Sequence, residues 1–277
     1  MDIDLTIVIP ARNESESLGA LLDEILAVLR TLPCEAEIIV VDDGSQDETR
    51  EIIARFASSH PCIRGLQLFA GASPRGRGQS AAFLAGFRAS RGRFIATMDA
   101  DRQNDPADLP AMLERIEGGN AGLLQGDRSA NRRDTLVRRV SSRVGRAARR
   151  ILLGDVVVDT GCSLRVMTRE LATALPLHYR GMHRFIPFLA AHLGFEVAQC
   201  PVHHRPRVAG RSKYGIGNRA IPGLLDCLAL KWLTRRPQPL SARALASPAV
   251  DAHAMQATRR PDEACAGQNA EDREAPK

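Results

Sequence analysis

Aromatic residues are scarce in this sequence: they make up 4% of its 277 residues, with one Trp and two Tyr. A surface on which bases stack needs several rings, so a nucleic-acid partner is not expected. The six cysteines are Cys34, Cys62, Cys162, Cys200, Cys227 and Cys265, and none forms a C-x-x-C pair. This argues against the common zinc spacings and a thioredoxin-like motif, and leaves reduced, cytosolic thiols as the expectation. No apolar run approaches the roughly 20 residues that span a bilayer. Met1-Asp2-Ile3-Asp4 offers no basic segment ahead of an apolar one, so no signal peptide is expected. Internal repeats are absent as well.

What is present is a chain with 44% hydrophobic residues, enough to bury a sizeable core in one large α/β domain with appendages. The formal net charge is +6. A basic balance attracts anions, and phosphorylated substrates or an acidic membrane surface satisfy it.

Short apolar runs alternate with helical periodicity. Leu5 to Pro10 and Glu37 to Val41 read as buried strands. Between them Leu18, Leu21, Leu22, Ile25, Leu26 and Leu29 recur at helical spacing, with Asn13 as a candidate N-cap and Glu16 as its capping-box partner. A helix through Ile52, Ile53 and Phe56 is followed by a strand from Ile63 to Leu68. A helix from Gln79 to Ser90 is followed by a strand from Arg93 to Met98. Such alternation predicts a mostly parallel sheet, which binds ligands outside the carboxyl ends of its strands. The polar clusters Arg12 to Glu14, Asp42 to Ser45 and Asp99 to Gln103 each follow a strand, so they are expected to converge on one crevice.

Asp99, Asp101 and Gln103 alternate along the chain. In an extended stretch they would point the same way and offer oxygen ligands to Mg²⁺ or Mn²⁺. The same residues also suit a solvated turn. Asp42-Asp43-Gly44-Ser45 suits a nucleoside contact or, equally, a turn and helix cap. Gly76-Arg77-Gly78-Gln79-Ser80 precedes a helix, where backbone N–H groups attract phosphate, but it is neither a Walker A sequence nor G-x-G-x-x-G. Asp159 either positions groups in an active site or caps local structure.

Taken in order, Pro10, Asn13-Glu14, Asp42-Asp43-Gly44-Ser45 and Asp99-Ala100-Asp101-Arg102-Gln103-Asn104-Asp105-Pro106 resemble a family-2 inverting glycosyltransferase. More narrowly the chain resembles the dolichol-phosphate mannosyltransferase group, which includes bacterial enzymes that load sugars onto undecaprenyl phosphate. Gly126-Asp127-Arg128, Asp159 to Arg165 and Arg207 to Tyr214 extend the resemblance over about residues 4 to 235. It implies a nucleotide-diphospho-sugar transferase (GT-A) fold, with a mostly parallel central sheet flanked by helices. Pro10, Arg12, Glu14, Val41, Asp43 and Ala100 would hold the nucleotide-sugar. Asp99, Asp101 and Gln103 would hold the metal, and Asp99, Asp101 and Asp159 would be catalytic. Arg128, Arg138, Ser142, Arg207 and Lys213 would meet the acceptor phosphate. Arg12 stands where the family often has Tyr, and Arg102 where it often has Leu.

The residues themselves agree on the acceptor side, since Arg138 and Ser142 lie four apart on one helical face of a basic stretch. The expected organisation is a donor and metal half over 1–126 and an acceptor half over 127–236 with a C-terminal amphipathic helix. A disordered tail is expected over 237–277. Ile221 to Leu233, flanked by Arg235 and Arg236, can lie in a membrane interface or pack on the core. The implied activity is sugar transfer to a polyprenyl phosphate by a protein bound peripherally at the cytoplasmic face of the membrane. The alternatives are a soluble or saccharide acceptor and a catalytically silent adaptor. Nothing in the pattern sets the sugar, the nucleotide or the oligomeric state.

Overall fold

A computed structural model describes residues 3–69, 76–129, 147, 149–155, 157–205 and 217–235, the last of these from 223 onward in their side chains. These residues lie in a compact unit, Met1–Arg236; a second unit, Pro237–Lys277, lies outside the described residues.

Strand β1 (Leu5–Ala11) is followed by helix α1 (Leu18–Leu29), β2 (Ala36–Asp42), α2 (Thr49–Ser59), β3 (Ile63–Gln67), α3 (Gln79–Ala89) and β4 (Phe94–Thr97). After a 3₁₀ turn at Pro106–Asp108 come α4 (Leu109–Glu117) and β5 (Leu123–Asp127). Then follow β6 (Arg165–Thr168), α5 (Arg169–Ala174), α6 (Ile186–His192), β7 (Val197–Pro201) and α7 (Gly217–Thr234). Among the described residues the strands form one sheet in the order β3-β2-β1-β4-β6-β5-β7. Only β6 runs against its neighbours, so the sheet is mostly parallel as expected.

The strand sequences explain the burial. Ile7, Ile9, Ile38 and Val40 fall on one face, packed with Leu18, Leu21, Leu22 and Ile25 of α1. Val8, Ile39 and Val41 fall on the other, packed with Phe83 and Phe87 of α3. A sheet covered on both faces needs continuous apolar strands, and LTIVIPA and AEIIVVD supply them. Gly86 lets α3 close onto β1, because a Cβ there would run into the Val8 side chain.

From β1 the chain winds outward through β2 and β3, then crosses back to pair β4 with the other edge of β1. That reversal opens a crevice at the carboxyl ends of β1 and β4. Two sequence expectations fail at this end. Helix α1 begins at Leu18 after Ser17, not after Asn13, so the Asn13–Glu16 capping box does not form. Asn13 instead takes φ +53, and its Oδ1 accepts the Gln46 N–H at 2.8 Å. Strand β4 ends at Thr97, so Asp99 to Gln103 form a turn with Arg102 at φ +59 rather than an alternating extended stretch.

Candidate active site

The loop after β1 is fastened to the loop after β2. The N–H groups of Asn13, Glu14 and Ser15 donate to Ser45 Oγ, Thr49 Oγ1 and Asp47 Oδ2 at 3.0, 2.9 and 3.1 Å. Burial raises the Asp47 carboxyl, but hydrogen bonds from Thr49 and Ser15 outweigh it and hold the group at about 2. Asp42 Oδ1 accepts the Ser45 N–H at 2.9 Å, and Arg50 lies 3.1 Å from its other oxygen. This is the turn chemistry that Asp, Gly and Ser allow, and it sets the floor of the crevice.

Asp43 is 6% exposed, and its carboxylate accepts two backbone donors: the Arg77 N–H at 2.6 Å and the Gly78 N–H at 2.7 Å. Gly76 is required here. It sits at φ +65, and a Cβ on it would lie 2.6 Å from Asp43 O and 2.7 Å from Asp43 Oδ2. The amides of the Gly76–Gly78 segment are therefore turned toward Asp43, which accounts for the two glycines without a phosphate. Val41 is fully buried in the core and Ala100 is 3% exposed, so contacts of Val41 with a ligand run through its main chain. Pro10, Arg12 and Glu14 are partly exposed at the same end.

The turn after β4 brings the acidic residues together. Burial and the neighbouring Asp101 raise the Asp99 carboxyl; a Ser163 hydrogen bond, Arg165 and Arg128 pull it down. Gln79 Nε2, from the first residue of α3, donates to Asp99 Oδ1 at 2.6 Å. The Gln103 N–H donates to Asp101 Oδ1 at 3.2 Å. Among the described residues no group of three or more His, Cys, Asp or Glu is gathered as a metal cage. The pair is still a fit for a hard divalent cation. Its donors are oxygens, the turn is desolvated, and the two carboxylates repel until a cation separates them.

Behind the turn lies a buried polar network. Arg128, just past β5, grips Asp159: Nε donates at 2.8 Å, Nη2 at 3.1 Å and the backbone N–H at 3.3 Å. Burial pulls the Arg128 guanidinium down, but Asp159 outweighs it and holds the group above its ordinary value. Gln125 Nε2 donates to the carbonyls of Gly126, Asp159 and Cys162 at 3.1, 3.2 and 3.0 Å, and its Oε1 accepts Arg165 Nε at 2.7 Å. Asn104 Nδ2 donates to Ser163 Oγ at 2.7 Å. Thr97 Oγ1 donates to the Ser163 carbonyl at 2.6 Å. Burial pushes the Cys162 thiol up to about 11, so it stays protonated and is no nucleophile.

The expected site residues divide into three groups. Asp99, Asp101, Arg128 and Asp159 meet around this network, while Asp43 and Glu14 stand on the adjoining loops. Arg138, Ser142, Arg207 and Lys213 lie outside the described residues. Gln79, Gln125, Ser163 and Arg165 carry no expected role, yet each touches or faces the acidic residues. A signal existed for two of them. Gln125 follows Leu123-Leu124 within β5 and Arg165 precedes Val166-Met167 at the start of β6, so each borders apolar residues where an unpaired polar side chain is costly.

The chain is similar to several known proteins. Dodecaprenyl-phosphate galacturonate synthase of Rhizobium johnstonii is 36% identical over 236 residues, covering 84% of this chain and 68% of that protein. Undecaprenyl-phosphate 4-deoxy-4-formamido-L-arabinose transferase of Yersinia pestis is 36% identical over 212 residues, covering 76% and 63%. The chain thus spans about two thirds of the length of these relatives. Glucosyl-3-phosphoglycerate synthase from Mycobacterium tuberculosis, solved with Mn²⁺, UDP and glucosyl-3-phosphoglycerate, superposes with a TM-score of 0.63 at 22% identity. That match covers 82% of this chain and 80% of the solved one, and it shows the same GT-A-like fold. The family model for glycosyl transferase family 2 matches residues 6–175. With an acidic turn at the sheet's switch point and a relative's identity spread over most of its length, this chain belongs to glycosyl transferase family 2.

Proposed function

We propose that this chain moves a sugar from a nucleotide-diphospho-sugar to a polyprenyl phosphate, inverting the anomeric carbon. One observation carries the reading: an acidic turn and a buried arginine share one polar network, through Ser163, Arg165 and Asp159. A donor diphosphate with its cation needs the first, and an acceptor phosphate needs the second. The polyprenyl-phosphate sugar transferases among the relatives support the choice of acceptor.

Asp99, Asp101 and Gln103 would hold Mg²⁺ or Mn²⁺, which when bound neutralises charge on the departing diphosphate. Pro10, Arg12, Glu14, Val41, Asp43 and Ala100 would hold the nucleoside side of the donor. Asp43 orders the segment beside it through the Arg77 and Gly78 amides. Arg128, oriented by Asp159, would meet the acceptor phosphate together with Arg138, Ser142, Arg207 and Lys213. A phosphate oxygen of the acceptor attacks C1; the new C1–O bond forms as the bond to the diphosphate breaks on the opposite face. The acceptor oxygen is already anionic near neutral pH, so no strong general base is required. Catalysis then rests on alignment and on electrostatic support of the leaving group. In this reading 1–126 is the donor half, 127–236 the acceptor half and 237–277 a tail.

The acceptor's lipid nature implies a membrane contact at the cytoplasmic face. No helix among the described residues is long and apolar enough to cross a membrane. Helix α7 buries Cys227 and Leu230 in the core and exposes Leu224, Leu225, Leu228, Trp232 and Leu233. With Lys231 and Arg235 beside them, these residues make an amphipathic surface suited to an anionic bilayer. Incubation with undecaprenyl phosphate and a panel of nucleotide-sugars, read by mass spectrometry of the lipid, tests the reading. A glycosylated lipid phosphate is expected. Transfer only to a water-soluble acceptor, or donor binding without any transfer, would overturn it.

A further inference from the structure

Glu24 lies on α1 and carries no expectation from the sequence, yet its carboxylate joins three segments. Arg102 Nη2 donates to Oε1, and Arg205 Nη1 donates to Oε2 at 2.7 Å. The same Arg205 grips Asp105, with Nε 3.0 Å from Oδ2 and Nη2 2.7 Å from Oδ1. Its backbone N–H donates to the Gln103 carbonyl at 2.9 Å, and the neighbouring His204 bridges to Asn104. His203 extends the row: its N–H lies 2.7 Å from Asp108 Oδ2 and its Nδ1 2.7 Å from Oδ1. Residues 203–205 are thus stitched along 103–108, and Glu24 ties both to α1.

We propose that Glu24 and Arg205 are positioning residues that clasp the Asp101–Gln103 turn in the conformation that binds a divalent cation with a nucleoside diphosphate. The inference rests on the metal reading above. Arg102 lies between Asp101 and Gln103 at φ +59, a region that side chains other than glycine adopt at a cost. Such a conformation persists only where surrounding contacts over-determine it. Here Arg102 is held from one side by Glu24, while Gln103 and Asp105 are held from the other by Arg205. The clasp also accounts for an arginine beside an acidic cation site. Its guanidinium is turned onto Glu24, and two acidic and two basic side chains add no net charge next to Asp99 and Asp101.

The pairs are about a quarter to a third exposed, so variants are expected to fold. The test is Mn²⁺ binding by the full chain in the presence of UDP, read from the electron paramagnetic resonance signal of free Mn²⁺. Glu24→Gln and Arg205→Gln are each expected to weaken binding about three- to tenfold, the range of one or two partly buried ion pairs. The double variant is expected to lose little more than the worse single, because both act through one clasp. Arg205→Lys, which keeps the charge but cannot grip two carboxylates at once, is expected to fall between wild type and Arg205→Gln. Asp101→Asn serves as the reference that loses binding. Unchanged affinity in both single variants, with Asp101→Asn still defective, overturns the clasp and leaves the metal reading standing. Wild-type affinity in Asp101→Asn overturns both. Losses of affinity that merely follow losses of melting temperature across the series overturn the positioning role.

Discussion

Asp43 and Asp159 are both buried carboxylates at the carboxyl edge of the sheet, and they differ in whether a guanidinium joins the backbone donors that satisfy them. Asp43 accepts from main-chain N–H groups of Arg77 and Gly78. Asp159 is bound chiefly by a side chain, the guanidinium of Arg128, in a setting where both partners are nearly inaccessible. Backbone donors come with any sequence that can make the turn. A side-chain partner must be placed by distant strands. The proposed donor side is therefore built on local conformation and the proposed acceptor side on a long-range pair, and each should fail differently when disturbed.

The largest effect is expected from breaking the pair. Asp159→Ala strands the Arg128 guanidinium in a buried site, which costs about 3–5 kcal/mol of stability. Denaturant unfolding checks the figure. Adding Arg128→Met should recover part of the loss, since no charge is then left unpaired; failure to recover would show that Asp159 acts through the Gly161 N–H that it also accepts.

On the proposed donor side Asp101→Ala removes a proposed metal ligand. Transfer is expected to fall by on the order of 10²–10³. Near-wild-type turnover would remove Asp101 from the metal site. Next in size is Gly76→Ala. It forces a side chain into positive φ against Asp43, at about 1–3 kcal/mol, and should weaken UDP binding more than acceptor binding. Equal effects on both would erase the proposed division between the two sides.

The same contrast decides how much was legible in the sequence. Strands β1, β2 and β4, the helices between them and the polar clusters at their ends follow from apolar runs and turn residues, which are local signals. Family resemblance added Arg128 and Asp159, but not that they bind each other. Arg165 with Gln125 and Glu24 with Arg205 are separated by too much chain for any spacing rule to pair them. Two local readings also failed. Asn13 resembled a helix cap, but the loop from β2 recruited its side chain. Asp99 to Gln103 resembled a strand end, but Arg102 turns left-handed and groups the carboxylates by a turn instead of by alternation. In both places a tertiary contact overrode the local preference, and both places border the candidate site.

The smallest effect, and the control for the comparison, sits away from the crevice. Glu37 of β2 is 1% exposed and accepts from Thr6, from Arg64 and from Arg91 through both its backbone and its guanidinium. Like Asp159 it accepts from both backbone and guanidinium donors, but its arginine partners are solvent-facing where Arg128 is buried. Burial raises its carboxyl, but the hydrogen bonds from Arg91, Arg64 and Thr6 outweigh it and hold the group below 4.5. A carboxyl depressed by folding contributes stability in full above its unfolded pKa and loses it as pH falls through the folded value. Melting temperature should therefore decline below about pH 4.5 more steeply in wild type than in Glu37→Gln. At pH 7 the substitution should cost only about 1–2 kcal/mol, because Arg64 and Arg91 are solvent-facing and can rehydrate once released. Sugar transfer at that pH should be unchanged. A Glu37→Gln protein as unstable as Asp159→Ala would mean that solvent access of the released guanidinium does not soften the loss, and the large cost assigned to the buried Arg128–Asp159 pair would lose its physical basis.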